Sequence, residues 1–297
     1  MSARSPGNAF RRPHEAADGL QPISESQERL MTRTVLITGA ASGFGENLVH
    51  KFAEKGWNVT ATMRDIDKAP VSFAKLSNVH VTRLDVRDEA SILEALASSE
   101  QRFGALDVLV NAAAKVLGGT LEEHTIDQVR DQFETNVFGT LAVTRAVLPG
   151  MRARGSGHIL NFSSAAGVIA MPLIPAYAAS KFAIEGYSES LAFDLAHLGV
   201  MVTIVEPGYF ETELGSKAEA PAQRIEAYAP AAELRGAIFD YTPGNLDGAS
   251  EAIVSIAGSK HAPVRLYVGH GLDSVRKRYQ EHLDAWKQNE SITRSTL

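Results

Sequence analysis

Short apolar runs alternate with helical patterns along the chain from residue 33 onward. The runs are largely continuous, without a polar residue at every second position, which is typical of strands buried on both faces of a sheet. Such strands are parallel, and the helices between them cover the two faces. The sequence therefore predicts an α/β fold of three layers, with a parallel sheet between two layers of helices.

The pattern divides into seven strands and eight helices. The predicted strands cover residues 34–38, 58–63, 79–84, 107–110, 158–162, 200–205 and 265–268. The predicted helices cover residues 46–55, 88–103, about 125–135, 137–153, about 176–198, a part of 220–240, about 248–257 and 273–287. Because no repeat or linker interrupts residues 32–297, we expect a single domain there, ending in a C-terminal helix. The Ala, Pro and Gly content of residues 211–246 predicts a mobile substrate lid.

Residues 1–31 differ from the rest of the chain. They contain prolines, glycines and charges of both signs, but no apolar run. We therefore expect a disordered extension, with Met31 as the natural start of the protein.

The composition disfavours several classes of function. The net charge of −6 provides no basic surface for nucleic acid. The absence of cysteine excludes disulfides and thiolate metal sites and favours a cytoplasmic location. No apolar run approaches the ~18 residues of a membrane span. The nine histidines have no metal-ligand spacing, so no metal site is expected. These features favour a small-molecule partner.

A glycine-rich turn follows the first predicted strand, with the sequence Thr38-Gly39-Ala40-Ala41-Ser42-Gly43-Phe44-Gly45. Gly39 permits a tight turn, and Gly43 and Gly45 permit close approach of the backbone and the helix. The free N–H groups at the start of the following helix favour a pyrophosphate. The Gly-x-x-x-Gly-x-Gly spacing differs from the common Gly-x-Gly-x-x-Gly, but the strand–turn–helix context still predicts a dinucleotide site.

Tyr177 and Lys181 are spaced by one helical turn, so their side chains share a helix face. A nearby ammonium group favours the phenolate and lowers the pKa of a tyrosine. Ser164, thirteen residues before Tyr177, adds a hydroxyl that can hold a substrate oxygen. The set predicts proton transfer to or from an oxygen atom. Taken alone, the Tyr–Lys pair also fits an amphipathic helix with a solvated lysine.

Five motifs in this order resemble those of the short-chain dehydrogenase/reductase family, in its compact single-domain branch. They are the glycine-rich turn, Leu84-Asp85-Val86, Asn111-Ala112-Ala113, the set Asn136, Ser164, Tyr177 and Lys181, and Pro207-Gly208-Tyr209-Phe210-Glu211-Thr212. The resemblance covers residues 32–270. It implies a doubly wound Rossmann fold with a sheet of about seven parallel strands, and an oxidoreductase that uses a nicotinamide cofactor.

The resemblance also implies a role for each motif residue. Tyr177 would be the catalytic acid/base, Ser164 would orient the reacting oxygen, and Lys181 would hold the nicotinamide ribose and lower the pKa of the tyrosine. Asn136 would hold a water that links Lys181 to solvent. The implied cofactor contacts are Thr38, Gly39, Ala41, Ser42, Gly43, Phe44, Gly45, Arg64, Asp85, Val86, Asn111, Ala112, Ala113, Tyr177, Lys181, Pro207, Gly208, Phe210 and Thr212.

Some of these contacts have a more specific implied role. Asp85 would contact the adenine, Asn111 would brace the central strands, and Thr212 would meet the carboxamide. The family usually has Asn-Asn-Ala-Gly where this chain has Asn111-Ala112-Ala113-Ala114. Because the contacts there are largely made by the backbone, we expect binding to survive.

The end of the second strand favours NADP over NAD. The position that is usually acidic in NAD-binding proteins falls on Met63, and Arg64 follows it. A guanidinium group can hold a 2′-phosphate through two hydrogen bonds. Asp65 leaves two alternatives open, since it can pair with Arg64 or cap the next turn. Ser42 offers no second positive charge.

The substrate side of the sequence is apolar. Val116, Leu117 and Met171, together with Tyr209, Phe210, Leu214, Tyr228, Phe239 and Tyr241, favour an apolar carbonyl substrate. Alternatively, these aromatic residues cover the core. NADPH as cofactor would favour the reductive direction. The helix at 273–287 is interpreted as a packing or subunit-contact face, and the resemblance implies a homodimer or homotetramer formed through the helices at 137–153 and 176–198.

Three other functions stay open. An NAD-dependent alcohol dehydrogenase would share the same motifs. A catalytically silent NADP-binding regulator is disfavoured because the four polar catalytic residues are all present. An isomerase or epimerase of the extended branch is disfavoured because that branch has a Gly-x-x-Gly-x-x-Gly turn.

Overall fold

The computed structural model describes residues 32–239 and 241–296, and this part of the chain is built on one parallel sheet. Its seven strands are β1 Thr34–Thr38, β2 Asn58–Met63, β3 Val79–Arg83, β4 Val108–Asn111, β5 Gly157–Phe162, β6 Val200–Pro207 and β7 Arg265–Val268. Their order is β3-β2-β1-β4-β5-β6-β7, and every neighbouring pair is parallel. The predicted doubly wound α/β fold is confirmed, with strand bounds that agree within two residues. The predicted extension at 1–31 lies outside the described residues.

The helices run between the strands in the predicted order. Their bounds are α1 Gly43–Glu54, α2 Glu89–Phe103, α3 Ile126–Phe133, α4 Gly139–Arg154, α5 Ala165–Val168, α6 Pro175–Leu195, α7 Glu213–Ser216, α8 Ala231–Ile238, α9 Leu246–Ala257, α10 Leu272–Gln288 and α11 Glu290–Arg294. Short 3₁₀ turns occur at Ile66–Lys68, Val71–Lys75, Ala196–Leu198 and Glu226–Tyr228. Among the described residues, no helix combines the length and apolar character that a bilayer span requires.

The structure differs from the predicted helices at two places. The predicted helix in 220–240 is only α8, because Pro221 and Pro230 cannot lie inside a helix without losing a backbone hydrogen bond. The two predicted helices at about 125–135 and 137–153 are joined by a π turn at Glu134–Phe138, so the chain stays helical from α3 into α4. A π turn inserted in a helix is frequently found at a functional site.

Alternate side chains of β1 enter two different cores. Val35 and Ile37 are fully buried in a cluster with Phe52 of α1. Leu36 enters the cluster on the other face, with Val147 of α4. This double burial explains why the strand is apolar at consecutive positions.

The strand order reverses between β1 and β4. From β1 the chain builds outward through β2 and β3, and it then returns to place β4 on the opposite side of β1. In an open parallel sheet, this reversal creates a crevice at the carboxyl ends of the strands, and ligands bind there. The glycine-rich turn follows β1 and the Asn111 loop follows β4, so both border the crevice.

His158 lies on β5 and is buried. Its burial makes the free energy of unfolding depend on pH. Its Nε2 atom lies 2.9 Å from the Thr203 hydroxyl. Burial lowers the pKa of His158 from 6.5 to about 4. The unfolded chain therefore binds a proton at this residue below pH 6.5, whereas the folded chain binds it only below about pH 4. The free energy of unfolding falls as the pH falls through this window.

We expect this residue to lower the free energy of unfolding by about 2 kcal/mol between pH 7 and pH 5. His158→Gln should lack that part of the pH dependence, whatever its stability at pH 7. Urea unfolding at the two pH values measures the difference, with His261→Gln on the exposed surface as the control. An unchanged pH dependence in His158→Gln would show that His158 is already protonated in the folded protein at pH 5.

Candidate active site

A cavity of about 970 Å³ runs along the carboxyl ends of the strands. Segments that follow β1 through β6 line it, together with residues of the predicted lid. The predicted site residues at its wall are Gly39, Ala41, Ser42, Gly43, Phe44, Gly45, Arg64, Asp85, Val86, Ala112, Ala113, Ser164, Tyr177, Lys181, Pro207, Gly208, Phe210 and Thr212. Thr38, Asn111 and Asn136 do not line the cavity. They are buried, at 1%, 3% and 1% exposure.

The glycine-rich turn has no room for side chains at two positions. A Cβ atom on Gly45 would lie 2.2 Å from the Gly39 carbonyl oxygen, and one on Gly39 would lie 2.7 Å from the Cα of Ala113. Gly39 also has a φ of +70°, which other residues rarely adopt. Ser42 precedes α1 but makes no capping hydrogen bond with its side chain. The first N–H groups of α1 therefore meet the requirement of an anion site at a helix N-terminus.

Thr38 and Asn111 hold the carboxyl ends of the central strands together. The Thr38 hydroxyl accepts hydrogen bonds from the amides of Ala112 and Ala113, both at 3.1 Å. The Asn111 amide donates to Thr144 and Asn161, both at 2.9 Å. The loop that departs from the family pattern is therefore fixed through its backbone.

Asn136 lies in the π turn and holds the start of the loop after β4. Its Oδ1 accepts from the Lys115 amide at 2.9 Å, and its Nδ2 donates to the Lys115 carbonyl at 3.0 Å. Nδ2 also donates to the Ser180 hydroxyl at 3.1 Å, which in turn donates to the Tyr177 carbonyl at 2.7 Å. Asn136 thus connects the loop after β4 to the first turn of α6.

Ser164, Tyr177 and Lys181 meet at one wall of the cavity. Ser164 follows β5, and its hydroxyl accepts from the Ala166 amide at 3.1 Å. The Tyr177 phenol is hydrogen bonded to the Ser164 hydroxyl. Lys181 donates to the Phe162 carbonyl at 2.7 Å, and its Nζ lies 5.8 Å from the centre of the Tyr177 ring. β5 and α6 therefore bring these three side chains together.

Burial has the largest effect on the pKa values of Tyr177 and Lys181. It raises the pKa of Tyr177 to about 12, against the smaller opposing effect of the Ser164 hydrogen bond. It also lowers the pKa of Lys181 to about 8, against the attraction of the Glu185 carboxylate. The change in the Tyr177 pKa is opposite to the one predicted from the sequence. The spacing of the pair cannot reveal that both groups lose contact with water.

A partly buried ionic cluster lies behind Lys181, and no sequence motif indicates it. Glu185 lies one turn further along α6. Arg265 of β7 donates to Glu185 at 2.5 Å, to Glu206 of β6 at 2.7 Å and to Glu189 at 3.0 Å. Burial raises the pKa of Glu185 to about 7, since it outweighs these hydrogen bonds. The helical spacing of Glu185 from Lys181 is the one local signal, because β6 and β7 are distant in sequence.

An ion pair and hydrogen bonds join the predicted lid to the segments that follow β4. Lys115 forms ion pairs with Asp131 and, at 2.6 Å, with Glu219. The buried Glu123 carboxylate accepts from the amides of Ile225 and Thr120, both at 2.8 Å. A lid that moves must break these bonds, so its mobility stays a prediction.

Most of the predicted substrate-side residues line the cavity. Tyr177 belongs to an apolar cluster that includes Met171 and Phe239, with Tyr209 and Tyr241 packed against it. Leu214 and Val116 also lie at the cavity wall. The prediction for Tyr228 is wrong, because its hydroxyl donates to Glu122 at 2.7 Å outside the cavity. Phe210 lines the wall and also packs edge-on against Phe44, at 4.8 Å between ring centres.

Comparison with known proteins agrees with this fold. The short chain dehydrogenase family matches residues 33–223. Retinol dehydrogenase 8 of Homo sapiens is 36% identical over 255 residues, which cover 78% of this chain and 80% of that protein. The crystal structure of a short-chain dehydrogenase from Streptomyces avermitilis is 34% identical with a TM-score of 0.81, and the match covers 90% of this chain and 99% of that one.

A second similar structure contains a cofactor. It is a gluconate 5-dehydrogenase from Burkholderia cenocepacia in complex with NADP and tartrate. It is 29% identical with a TM-score of 0.70, and the match covers 82% of this chain and 96% of that one. The chain therefore belongs to the short-chain dehydrogenase/reductase family, which confirms the resemblance. It is an oxidoreductase that acts on CH–OH or C=O groups.

We expect Arg265→Met to destabilise the protein in a pH-dependent way. The substitution leaves Glu185 and Glu206 buried without their counter-charge, which should lower the free energy of unfolding by about 2 kcal/mol at pH 8. This figure is below that for a fully buried pair, because the Arg265 side chain is 38% exposed to solvent.

The loss should be smaller at pH 5.5. Removal of the guanidinium raises the folded-state pKa of the two carboxyl groups further. The free energy of unfolding then decreases as the pH rises towards this raised pKa, because the unfolded chain releases the protons more readily than the folded chain. Urea unfolding at both pH values tests this, with the exposed Arg276→Met as the control. An equal loss at pH 5.5 and pH 8 would contradict the electrostatic explanation.

Proposed function

We propose that the chain is an NADP(H)-dependent reductase of the carbonyl group of a mostly apolar small molecule. The observation that carries the proposal is one continuous cavity. The glycine-rich turn and Arg64 lie at its wall together with Ser164 and Tyr177. A nucleotide and a reacting oxygen can therefore occupy the same cavity.

The residues present fit a dinucleotide phosphate. The uncapped start of α1 suits the pyrophosphate. Arg64 lines the cavity and has no carboxylate partner among the described residues, since Asp65 pairs with Lys68 at 3.1 Å instead. An unpaired guanidinium group at the end of β2 suits a 2′-phosphate. When bound, the nicotinamide supplies the hydride.

Tyr177 is proposed as the acid that protonates the carbonyl oxygen. A phenol with a pKa near 12 holds its proton at neutral pH, so it acts more readily as a donor than as a base. The hydrogen bond to Ser164 sets the direction of the phenol, and the Ser164 hydroxyl would hold the substrate oxygen. This arrangement supports the reductive direction.

Lys181 and Asn136 are proposed to restore the proton on Tyr177. With a pKa near 8, Lys181 can gain or lose a proton close to neutral pH. The bonds of Asn136 to Lys115 and Ser180 support a role in holding a water beside the first turn of α6. The proposed contacts of Asp85 with the adenine and of Thr212 with the carboxamide are supported by their places at the cavity wall.

We also propose a cytoplasmic homodimer or homotetramer. The cysteine-free composition supports the compartment. Phe138 beside α4, and Phe182 and Phe193 on α6, have exposures of 54%, 43% and 76%. Exposed aromatic side chains on two neighbouring long helices support a subunit contact there.

Tyr177→Phe should abolish the reaction without loss of the cofactor. We expect kcat to fall by about a thousandfold, because the acid is removed while the ring still fills its place. NADPH oxidation with a panel of ketones, aldehydes and quinones measures turnover, and fluorescence titration measures NADPH binding. Tyr187→Phe, which removes a partly buried phenol from the same helix, is the control. If Tyr177→Phe keeps more than a tenth of the activity, the proposed acid is wrong.

Arg64→Ala should affect NADPH selectively. We expect the apparent KM for NADPH to rise by tenfold or more, because loss of a charge-assisted hydrogen bond weakens binding by about that factor. The apparent KM for NADH should change little. Lys68→Ala is the matched control, because its ammonium is already paired with Asp65. Equal changes for the two cofactors would overturn the proposed NADP preference.

A further inference from the structure

The positively charged side chains at the cavity wall divide into paired and unpaired groups. Four of them pair with carboxylates: Lys68 with Asp65, Arg87 with Asp131, Lys115 with Asp131 and Glu219, and Lys217 with Glu213. Lys181 is buried and bonded to a carbonyl. Arg64 and Arg235 remain without a carboxylate partner among the described residues. Since the proposed function uses Arg64 for the cofactor, Arg235 is left to be explained.

Arg235 lies on α8 and is held by an aromatic neighbour. Its Nε donates to the Tyr241 hydroxyl at 2.7 Å, and its guanidinium carbon lies 5.1 Å from the centre of the Tyr241 ring. The Tyr241 hydroxyl in turn donates to the Met171 sulfur at 3.6 Å. These contacts fix the orientation of the side chain but leave its two terminal nitrogens without a partner among the described residues. A guanidinium group cannot lose its charge.

An apolar wall connects Arg235 to the reacting end of the cavity. Tyr241 packs edge-on against Phe239 at 5.3 Å and against Tyr209 at 5.5 Å, between ring centres. Phe239 belongs to the same buried cluster as Tyr177. A ligand with its carbonyl group at Tyr177 can therefore lie along aromatic side chains and end at a fixed, half-buried cation.

We infer that Arg235 binds a carboxylate at the far end of the substrate, so that the substrate class is an apolar carbonyl compound carrying an acid group. The planar guanidinium fork matches the two oxygens of a carboxylate. Its partly buried, aromatic surroundings strengthen the attraction relative to an ion pair in open water. The inference rests on the proposed function, because it places the carbonyl group at Tyr177.

The test compares the binding of matched acids and esters. The probes are straight-chain methyl ketones whose carbonyl is separated from a terminal carboxylate by three, five or seven methylene groups, and the methyl esters of the same compounds. Calorimetric titration of the protein, with and without NADPH, gives each Kd. We expect one acid to bind about tenfold more tightly than its ester, since a charge-assisted contact is worth at least that much. The difference should shrink as salt is added.

Three variants locate the effect. Arg235→Gln should remove the preference for the acid and leave the affinity for the ester unchanged. Arg235→Lys should restore part of the preference, because it keeps the charge without the planar fork. Lys217→Gln removes a cavity cation that is already paired with Glu213 and should change neither affinity. Circular dichroism verifies that each variant is folded.

The outcomes separate this inference from the proposed function. The inference would be overturned by equal binding of acid and ester at every chain length, or by no measurable binding of any acid. It would also be overturned if Arg235→Gln kept the preference for the acid. NADPH oxidation with the same ketones tests the function separately. Turnover of acids and esters at equal efficiency would support the reductase and refute the role of Arg235. A preference for acids that is lost in Arg235→Gln, without turnover of any ketone, would support the role of Arg235 and count against the reductase.

Discussion

The hydroxyl of Thr38 joins the two central strands at the point where the sheet reverses its order. It accepts hydrogen bonds from the amides of Ala112 and Ala113 at the end of β4, and the Gly39 backbone lies against Ala113. This contact holds the turn after β1 and the loop after β4 together, and these two segments border the crevice. The other proposed ligand contacts come from segments that follow the neighbouring strands, from α6 and from the predicted lid.

Three ionisable groups of α6 lie on one face of the helix, at successive turns. Tyr177 faces Ser164, Lys181 faces the Phe162 carbonyl, and Glu185 faces Arg265. Loss of water, rather than the attraction between neighbours, has the largest effect on the pKa of each of the three. The result is a neutral phenol beside a lysine and a carboxyl group that both titrate near neutral pH. In a solvated helix of the same sequence, all three groups would have pKa values close to their ordinary ones.

Under the proposed function, proton transfer and substrate binding use different parts of the chain. Tyr177 and Lys181 lie on α6, and Ser164 follows β5. Arg235 and Tyr241 come from a segment outside the sheet, and their partners Met171 and Phe239 are apolar. Both Arg235 and Tyr241 line the same cavity as Tyr177.

The sequence by itself determined the features that depend on spacing along the chain. The continuous apolar strands, the glycine turn before α1 and the helical spacing of Tyr177 and Lys181 are local, and the structure has them as predicted. The short α8 could also have been predicted, because Pro221 and Pro230 limit it.

Only the tertiary structure decided which distant groups meet and which lose water. It placed Tyr228 outside the cavity, beside Glu122, and brought Arg265 of β7 to Glu185 of α6. It also reversed the predicted direction of the Tyr177 pKa. Desolvation depends on the packing of the whole sheet and its helices, and no local pattern records that packing.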